Sequence, residues 1–447
     1  MQTKAMSALR PRSWPRDRLG HVISIAFLVA AFAISAKVFY YLFTEEITTV
    51  ATGPERQTST QTAGNHPIYL LLWGSLYLWV LARLAVQALG QGLHPVLLRG
   101  LPFGVLVMAS ALWSVSPPRT LLHGTMLVFN IAIAYILSQS IAPRMFLLIL
   151  RRTLIVLMLL SLILMALVPE TAATHRFDGA WLSDREMRGV FPFKTDAGWL
   201  FGLLFVLIFW SRDWQGSFAT RLAMGATTLF AVLLSNSATG LACAILVIAI
   251  LAVTRLAPHH VGPVLRGIFV LLVVISLTLP FIDVGPIASL LGRDPELTGR
   301  VPIWLAAPKF IAERPILGYG YGGFFDTIPS SPVWEFWANN KDAQAAHFHS
   351  TAVEILIALG VAGLAAYLWL LWSGFTIVYN RSIVREDRLL LGSVLIFFLV
   401  GAAADTTFMA YNSYVTTVLF YCVFAAGTQY PPEPDTVVGG MPTPRRQ

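Results

Sequence analysis

Stretches of about 20 apolar residues recur along nearly the whole chain, and short segments carrying most of the charges separate them. A helix needs about 20 consecutive apolar residues to cross the hydrocarbon core of a bilayer. Only 12% of the 447 residues are charged, whereas about 25% are charged in a typical soluble domain. The sequence therefore predicts an all-α, polytopic membrane protein.

Composition also narrows the class of partner. A transmembrane β-barrel would show alternating segments of about ten residues, and the sequence lacks that pattern. The net charge of +8 comes from basic residues scattered between the apolar runs, without the basic patch and interleaved aromatic residues typical of nucleic-acid binding. This distribution favours membrane lipid or an anionic substrate. Cys243 and Cys422 lie inside apolar runs, which disfavours a disulfide framework or a cysteine-based metal site.

We predict about twelve membrane-spanning helices, with boundaries accurate to a few residues. The predicted spans are residues 22–43, 67–89, 96–114, 120–141, 146–168, 197–211, 219–235, 238–256, 263–283, 350–372, 386–404 and 411–428. The first apolar run follows a basic segment, 1–21, and is long enough for a retained span rather than a cleaved signal peptide. We therefore expect a membrane domain over 22–428 and a proline-rich, disordered tail over 429–447.

Lysine and arginine residues in the short connections predict the orientation, because cytoplasmic loops are enriched in them. The N-terminal segment is basic, and alternate connections are basic as well. These connections contain Arg99, Arg144, Arg151, Arg152, Arg212, Arg221, Arg255, Arg266, Arg381, Arg385 and Arg388. Both termini are therefore predicted to be cytoplasmic. Two long segments, 169–196 and 284–349, then lie on the outer face.

The stretch "MRGVFPFKTDAG", residues 187–198, places Arg188 and Lys194 at the predicted outer mouth of a membrane helix. One interpretation of these cations is a solvated loop whose long side chains reach out of the membrane. The alternative is an anion site beside the bilayer, because the planar fork of arginine suits phosphate and lysine adds a point charge.

The stretch "TGRVPIWLAAPKFIAERPILGYGYGGFF", residues 298–325, has apolar residues at helical spacing and then four glycines. The spacing predicts an amphipathic helix lying on the membrane, with Arg300 just before it, Trp304 as an interfacial anchor and Arg314 after it. The glycines allow two interpretations, a backbone cradle for phosphate or a tight turn after the helix. No GK[ST] motif follows, so the stretch is not a P-loop.

The stretch "HFHSTAVEILIALGVAG", residues 347–363, puts His347 and His349 at the entry of a predicted span. A metal site is disfavoured, because no cysteine and no i, i+4 pair of histidines accompanies them. Two roles remain for these histidines, a structural one and an acid–base one. Near a helix N-terminus the dipole disfavours imidazolium and leaves the ring able to accept a proton. An anion such as Glu354 or a phosphate would then stabilise the cation that forms.

Together these three stretches resemble the O-antigen ligase and O-antigen polymerase family, including its exopolysaccharide-production branch. They follow one another in the family's order, and the resemblance extends over about residues 95–425. Two positions depart from the family pattern. Thr195 follows Lys194, and Ser350 follows His349, where the family commonly has asparagine. Ser350 can still cap the helix.

The resemblance implies a metal-independent, inverting glycosyltransferase of type C-like fold, without a cofactor, at the outer face of the bacterial inner membrane. Its donor would be a glycan on undecaprenyl pyrophosphate, and its acceptor a glycan or lipid A core. A flippase and a chain-length regulator would be further partners. Arg188 and Arg300 would bind the pyrophosphate, and His349 would be the base. The remaining substrate-binding candidates are Lys194, Trp304, Arg314, His347 and Glu354.

The resemblance favours a polymerase that joins lipid-linked repeat units into exopolysaccharide or O-antigen, because residues 298–325 are most similar to the exopolysaccharide branch. A ligase that moves finished glycan to lipid A core uses the same donor and is the nearest alternative. A lipid or polysaccharide transporter is a third reading. The sequence argues against it, because no line of carboxylates crosses the membrane and no inverted repeat is present.

Overall fold

The computed structural model describes residues 18–35, 38, 67–90, 92–174, 185–210, 214, 216–256, 261–282, 300–325, 347–403 and 410–431. Fourteen α-helices lie in this part of the chain. They are α1 (Arg18–Ser35), α2 (Pro67–Gly90), α3 (Leu101–Ala109), α4 (Pro117–Ser140), α5 (Pro143–Leu167), α6 (Pro169–Ala172), α7 (Lys194–Trp210), α8 (Phe218–Leu234), α9 (Ala238–Leu256), α10 (Val261–Thr278), α11 (Arg300–Glu313), α12 (Thr351–Phe375), α13 (Arg385–Ala402) and α14 (Tyr414–Gly427).

Other regular structure in the described residues is short. Four 3-10 turns cover Pro95–Arg99, Ser110–Leu112, Leu279–Phe281 and Thr376–Tyr379. One antiparallel pairing of two residues on each side joins Ala173–Thr174 to Glu186–Met187. The predicted all-α class is therefore observed throughout the described part of the chain, apart from this minimal pairing.

Within the described residues, most of the predicted spans are helices at their predicted positions. Five helical stretches are long and apolar enough to cross a membrane: Leu71–Gly90, Pro117–Ser140, Pro143–Leu167, Val261–Phe281 and Thr351–Tyr379. Five shorter apolar helices accompany them, over Ile25–Ile34, Leu101–Leu112, Phe218–Leu234, Ala238–Val253 and Tyr414–Gly427. Several helices are thus candidate membrane spans. The number of twelve spans and their orientation stay predictions.

The predicted span 96–114 differs from the structure, because it is divided into a 3-10 turn, α3 and a second 3-10 turn. Gly100 ends the first turn and Pro102 lies in the first turn of α3, where the missing N–H of proline costs no helical hydrogen bond. A Cβ on Gly100 would lie 2.8 Å from Cζ of Phe424 on α14. The nine residues of α3 extend only about 14 Å, so α3 alone is shorter than a membrane span.

The helices pack around one large apolar core, in which α7 contacts α8 and α9, and α14 contacts α4 and α12. The crossing of α7 and α9 is unusually close. Cβ atoms on Gly202 or Gly240 would overlap the backbone of the facing helix. Small residues at a four-residue spacing, such as Gly198 and Gly202, allow helices to approach closely inside membranes.

Helix α12 is broken at Gly360, whose φ of +63° and ψ of −159° are not helical. Residues 315–320 fill the break, and we call this segment the insertion. The insertion follows α11 in the chain and packs into the middle of α12. It therefore attaches the second long segment, 284–349, to a helix of the core.

The predicted outer-face segments are described only over residues 169–174, 185–196, 300–325 and 347–349. Residues 1–17 and 432–447, which make up most of the two predicted terminal segments, lie outside the described residues. The helix predicted in the second segment is observed as α11, and its placement on the membrane stays a prediction. Its buried side is formed by Ile303, Trp304, Ala307 and Phe310, while Leu305 on the other side is exposed.

Candidate active site

His349 lies in the link of residues 347–349 before α12, and this link is held from two sides. The indole N–H of Trp304 on α11 donates a hydrogen bond to the Phe348 carbonyl at 2.7 Å, and the Phe348 N–H donates to Glu354 Oε2 at 3.1 Å. Trp304 and Phe348 are buried. A buried polar group left without its partner costs about 1–3 kcal/mol, so the two bonds fix the backbone next to His349.

The backbone of His349 itself is unusual, with a φ of +49°. Non-glycine residues rarely adopt this region, and strained positions concentrate at functional sites. His347 supports the conformation, because its Nδ1 accepts the His349 N–H at 3.3 Å and the two rings meet edge to face with centroids 4.0 Å apart. Ser350 is the N-cap residue of α12, but its hydroxyl makes no capping hydrogen bond.

The insertion repairs the broken hydrogen-bond ladder of α12. The freed carbonyls of Ile357 and Ala358 accept the N–H groups of residues 319 and 320, at 2.8 and 2.9 Å. The freed N–H groups of residues 361 and 362 donate to the carbonyls of residues 315 and 316, at 2.8 and 3.2 Å. In an unbroken helix these same four groups would bond to one another. The insertion therefore takes the place of two consecutive hydrogen bonds of the helix.

The glycines of this stretch face protein, which supports the tight-turn interpretation over a phosphate cradle. A Cβ on Gly318 would overlap the backbone at residues 357–359, and one on Gly320 would overlap Ser114. A Cβ on Gly322 would overlap the ring of His123. All three glycines have φ between +66° and +96°, where other residues are strained.

Arg314 is exposed and immediately precedes the insertion. Its Nη1 donates to the Trp113 carbonyl at 3.2 Å, and its guanidinium lies 4.9 Å from the ring centroid of Tyr319. The hydroxyl of Tyr319 donates to Glu313 Oε2 at 2.6 Å, and burial together with that carboxylate raises its pKa. Arg314 thus anchors the insertion. Its predicted substrate-binding role stays a prediction.

Arg188 belongs to a different part of the structure, the loop of residues 187–191, which we call the Arg188 loop. Its Nε donates to the Thr171 carbonyl at 2.9 Å, and its N–H donates to the Ala172 carbonyl at 2.9 Å. The next residue, Gly189, has a φ of +62° and packs directly on Ser161 of α5. These contacts fix the position of the Arg188 backbone and of its Nε atom.

Lys194 is the first residue of α7, and its ammonium forms an ion pair with Glu186 at 2.5 Å. Glu186 is fully buried, and its Oε1 also accepts the Asn236 side-chain N–H at 2.7 Å. Lys194 therefore neutralises a buried carboxylate. This contact gives it a structural role in addition to the predicted one.

The structure thus divides the predicted site residues into groups. His347, His349, Trp304 and Glu354 come together, and Arg300 begins the helix that carries Trp304. The side chain of Arg300 lies outside the described part of the structure. Arg188 instead bonds to Thr171 and Ala172 of α6, and Lys194 pairs with Glu186.

Three residues near the first group were missed from the sequence. His123 of α4 stacks on Tyr411, with ring centroids 4.1 Å apart and planes 10° apart. Tyr321 is buried, and Tyr411 and Glu354 are its charged or ionisable neighbours. Its pKa is raised, first by burial and then by these two groups. His123 is a lone histidine in an apolar run, and this was the only sequence signal for the three residues. A structural histidine with its hydrogen bonds satisfied gives the same pattern.

Apart from one short strand pairing, the described residues form a helical fold with several candidate membrane spans and a histidine-bearing link braced by α11. Residues 223–368 match the family model described as O-Antigen ligase. The chain is also 24% identical over 300 residues to the exopolysaccharide production protein ExoQ of Rhizobium meliloti (strain 1021). This match covers 64% of the chain and 66% of ExoQ, slightly less than two thirds of that relative.

These matches confirm the resemblance drawn from the sequence motifs. The O-Antigen ligase region contains α11, the insertion and the link that carries His349. Arg188, His123 and Tyr411 lie outside it. The matched region therefore contains His347, His349, Trp304 and Glu354, the site residues that the structure brings together.

Proposed function

We propose that the protein is a membrane glycosyltransferase that polymerises undecaprenyl-pyrophosphate-linked repeat units into a surface polysaccharide. The observation that carries this proposal is the bracing of His349 by Trp304 and Glu354, inside the region that matches the O-Antigen ligase family. The similarity to an exopolysaccharide production protein favours a polymerase. The predicted orientation puts the reaction at the outer face of the inner membrane.

The chemistry is a single in-line displacement at the anomeric carbon of the donor. His349 accepts the proton of the acceptor hydroxyl while its oxygen bonds to that carbon. The bond from the carbon to the pyrophosphate oxygen breaks, and the electron pair leaves with the pyrophosphate. Arg188 and Arg300 stabilise the departing charge. Inversion at carbon follows from the single displacement, and no metal or cofactor takes part in any step.

The bracing of the link suits this role, because a general base must be held within hydrogen-bond reach of the proton it removes. Trp304 and Glu354 fix Phe348, the residue before His349. Glu354 is therefore a positioning residue in this proposal. Trp304 acts in the same way through its bond to the Phe348 carbonyl.

A ligase that transfers glycan to lipid A core is the second candidate, because the matching family is described as O-Antigen ligase. Polymerase and ligase share the donor and the chemistry above. They differ in the acceptor, so the acceptor used in an assay separates them.

The test uses the purified full chain in lipid nanodiscs with the undecaprenyl-pyrophosphate-linked repeat unit isolated from the cells that carry it. We expect release of undecaprenyl pyrophosphate together with longer glycans. Arg300→Ala should lower the rate by about a hundredfold or more, the size seen when one charge-stabilising group is removed. His349→Ala should lower it by no more than that, because loss of a pyrophosphate leaving group needs less help from a base.

Arg266→Ala serves as the matched control, because this arginine contacts Tyr379 at the other end of the core. Its rate should equal that of the unchanged chain. Glycan appearing on added lipid A core instead would identify the ligase. No release of undecaprenyl pyrophosphate with either acceptor would disprove glycosyl transfer, and full activity in Arg300→Ala would disprove the assigned role of that residue.

A further inference from the structure

Tyr411 forms an aromatic platform at the link between α13 and α14. Its ring lies flat on the ring of His123, and 40% of its surface is exposed. The neighbouring backbone is held rigidly. The Asn412 N–H donates to Asn130 Oδ1 at 2.5 Å, and Asn412 Oδ1 accepts the Tyr77 hydroxyl at 2.6 Å. The platform is therefore built in place by α2 and α4.

The platform adjoins the group that contains His349. The Tyr411 backbone lies within hydrogen-bonding reach of the Tyr321 hydroxyl. Glu354 is near enough to raise the pKa of that hydroxyl. Glu354 in turn binds the N–H of Phe348, next to His349. Four segments from distant parts of the sequence thus meet here: α4, the glycine-rich stretch, the start of α12 and the α13–α14 link.

A guanidinium group lies close to the histidine of the platform. Arg119 is one turn before His123 on α4, and its Nη1 donates to the Phe325 carbonyl at 2.8 Å. A flat, partly exposed aromatic ring with a guanidinium group nearby matches the two kinds of surface on a sugar. A sugar ring has an apolar C–H face, and its hydroxyl groups point outward from its edge.

We propose that the Tyr411 platform binds a sugar ring of the acceptor glycan, close to the hydroxyl that reacts. This inference rests on the proposed function and adds the place of the second substrate. A tyrosine that only anchors a protein at the membrane interface places its ring among lipid headgroups. Tyr411 instead rests on a half-buried histidine and joins a buried tyrosine. Its arrangement fits a preorganised binding surface.

Binding is tested first, without any transfer reaction. The probe is the repeat-unit oligosaccharide that mild acid releases from the lipid-linked donor, added to the full-length protein in detergent. Saturation-transfer NMR should show contact of the oligosaccharide with the unchanged protein and with Tyr411→Phe, which keeps the ring. Tyr411→Ala should abolish the signal. Tyr379→Ala is the matched control, because Tyr379 is also 40% exposed but lies after α12, against Arg266.

Transfer is tested next, with the same oligosaccharide as soluble acceptor and the lipid-linked repeat unit as donor. In Tyr411→Ala the KM for the acceptor should rise about tenfold, which corresponds to about 1.4 kcal/mol. The KM for the donor should not change, whereas general damage to the fold would alter both constants. An unchanged acceptor KM and NMR signal in Tyr411→Ala would overturn the proposal.

The two proposals fail in different ways. If the oligosaccharide binds through Tyr411 but neither the unchanged protein nor any variant transfers glycan, the sugar-binding platform is supported and the glycosyltransferase function is disproved. If transfer occurs and Tyr411→Ala binds and uses the acceptor as the unchanged protein does, the function stands and the platform falls.

Discussion

Two glycine-dependent junctions hold the two groups of predicted site residues, and they are built differently. At the insertion, Gly318 and Gly360 bring backbone against backbone, and four hydrogen bonds cross the junction. At the Arg188 loop and the start of α7, Gly189 and Gly198 make room mainly for serine side chains, on α5 and in the α8–α9 turn. The histidine group therefore depends on a backbone junction, and the Arg188 group on side-chain packing.

This difference decides what each junction can tolerate. A side chain that overlaps a new methyl group can be shortened by a second substitution. Backbone atoms that overlap the methyl group cannot be removed by a substitution. At the insertion, the N–H and carbonyl groups of that backbone also complete the hydrogen bonds of the broken helix. A non-helical segment within an apolar helix is tolerated only where other protein groups satisfy its backbone. We therefore expect the insertion to be the more sensitive of the two.

The largest effect is expected for Gly360→Ala. Its φ of +63° with ψ of −159° is a region that only glycine adopts freely, and a Cβ there would overlap the carbonyl of Ile316. Strain and overpacking together should lower the free energy of unfolding by about 4 kcal/mol or more. The measurement is SDS titration of the purified protein in mixed micelles.

Gly267→Ala on α10 is the control, because nothing lies within 4 Å of its Cβ position. It should be neutral or slightly stabilising, since alanine favours a helix. Ile316→Gly should not rescue Gly360→Ala, because the atoms in the way belong to the backbone. Equal stability of Gly360→Ala and Gly267→Ala would contradict the break in α12.

At the other junction, Gly198→Ala should destabilise the protein by about 1–3 kcal/mol, the usual cost of overpacking a core. The obstructing atoms are the side chain of Ser237 and, 2.8 Å away, Oγ of Ser235. Adding Ser237→Gly should therefore recover part of the loss, whereas Ser237→Gly alone should destabilise. A double-mutant cycle by SDS titration measures the coupling. Strictly additive effects would show that the packing at this crossing is not the one described.

Lys194→Met tests whether the ion pair with Glu186 supports the Arg188 group. Glu186 is fully buried, while the lysine side chain is 27% exposed, so we expect a loss of about 1–3 kcal/mol, below the range for a fully buried pair. The added substitution Glu186→Gln should restore part of it by removing the uncompensated charge.

Activity separates the two roles of Lys194. If the lysine only holds Glu186, the double variant should recover both stability and glycan transfer. If it also binds the donor diphosphate, stability should recover while the KM for the donor stays raised. An unchanged stability in Lys194→Met would exclude the structural role of the ion pair.

The sequence predicted the elements of this fold that depend on local apolar composition. Helices α2, α5 and α12 begin within a few residues of their predicted starts, and the buried side of α11 follows from its helical spacing. The break at Gly360 could not be predicted, because its partner is a distant segment and "ALGVAG" is apolar on both sides.

The candidate site shows the same limit. His347 and His349 were found because they share a motif, and Glu354 was found one helical turn later. His123 and Tyr411 were missed, because only the packing of α4 against the α13–α14 link brings them together. Contacts between distant segments are set by the tertiary fold, and a single sequence carries no local signal for them.

The smallest effect is expected for Arg185→Ala, near the Arg188 loop. Arg185 pairs with Glu170 at 2.7 Å, but the two side chains are 45% and 74% exposed. An exposed ion pair contributes only about 0–1 kcal/mol and is weakened by salt. The free energy of unfolding should therefore fall by less than about 1 kcal/mol at low salt, and by less still at high salt. A loss as large as that of Lys194→Met would show that the surface pair, rather than buried Glu186, supports the Arg188 group.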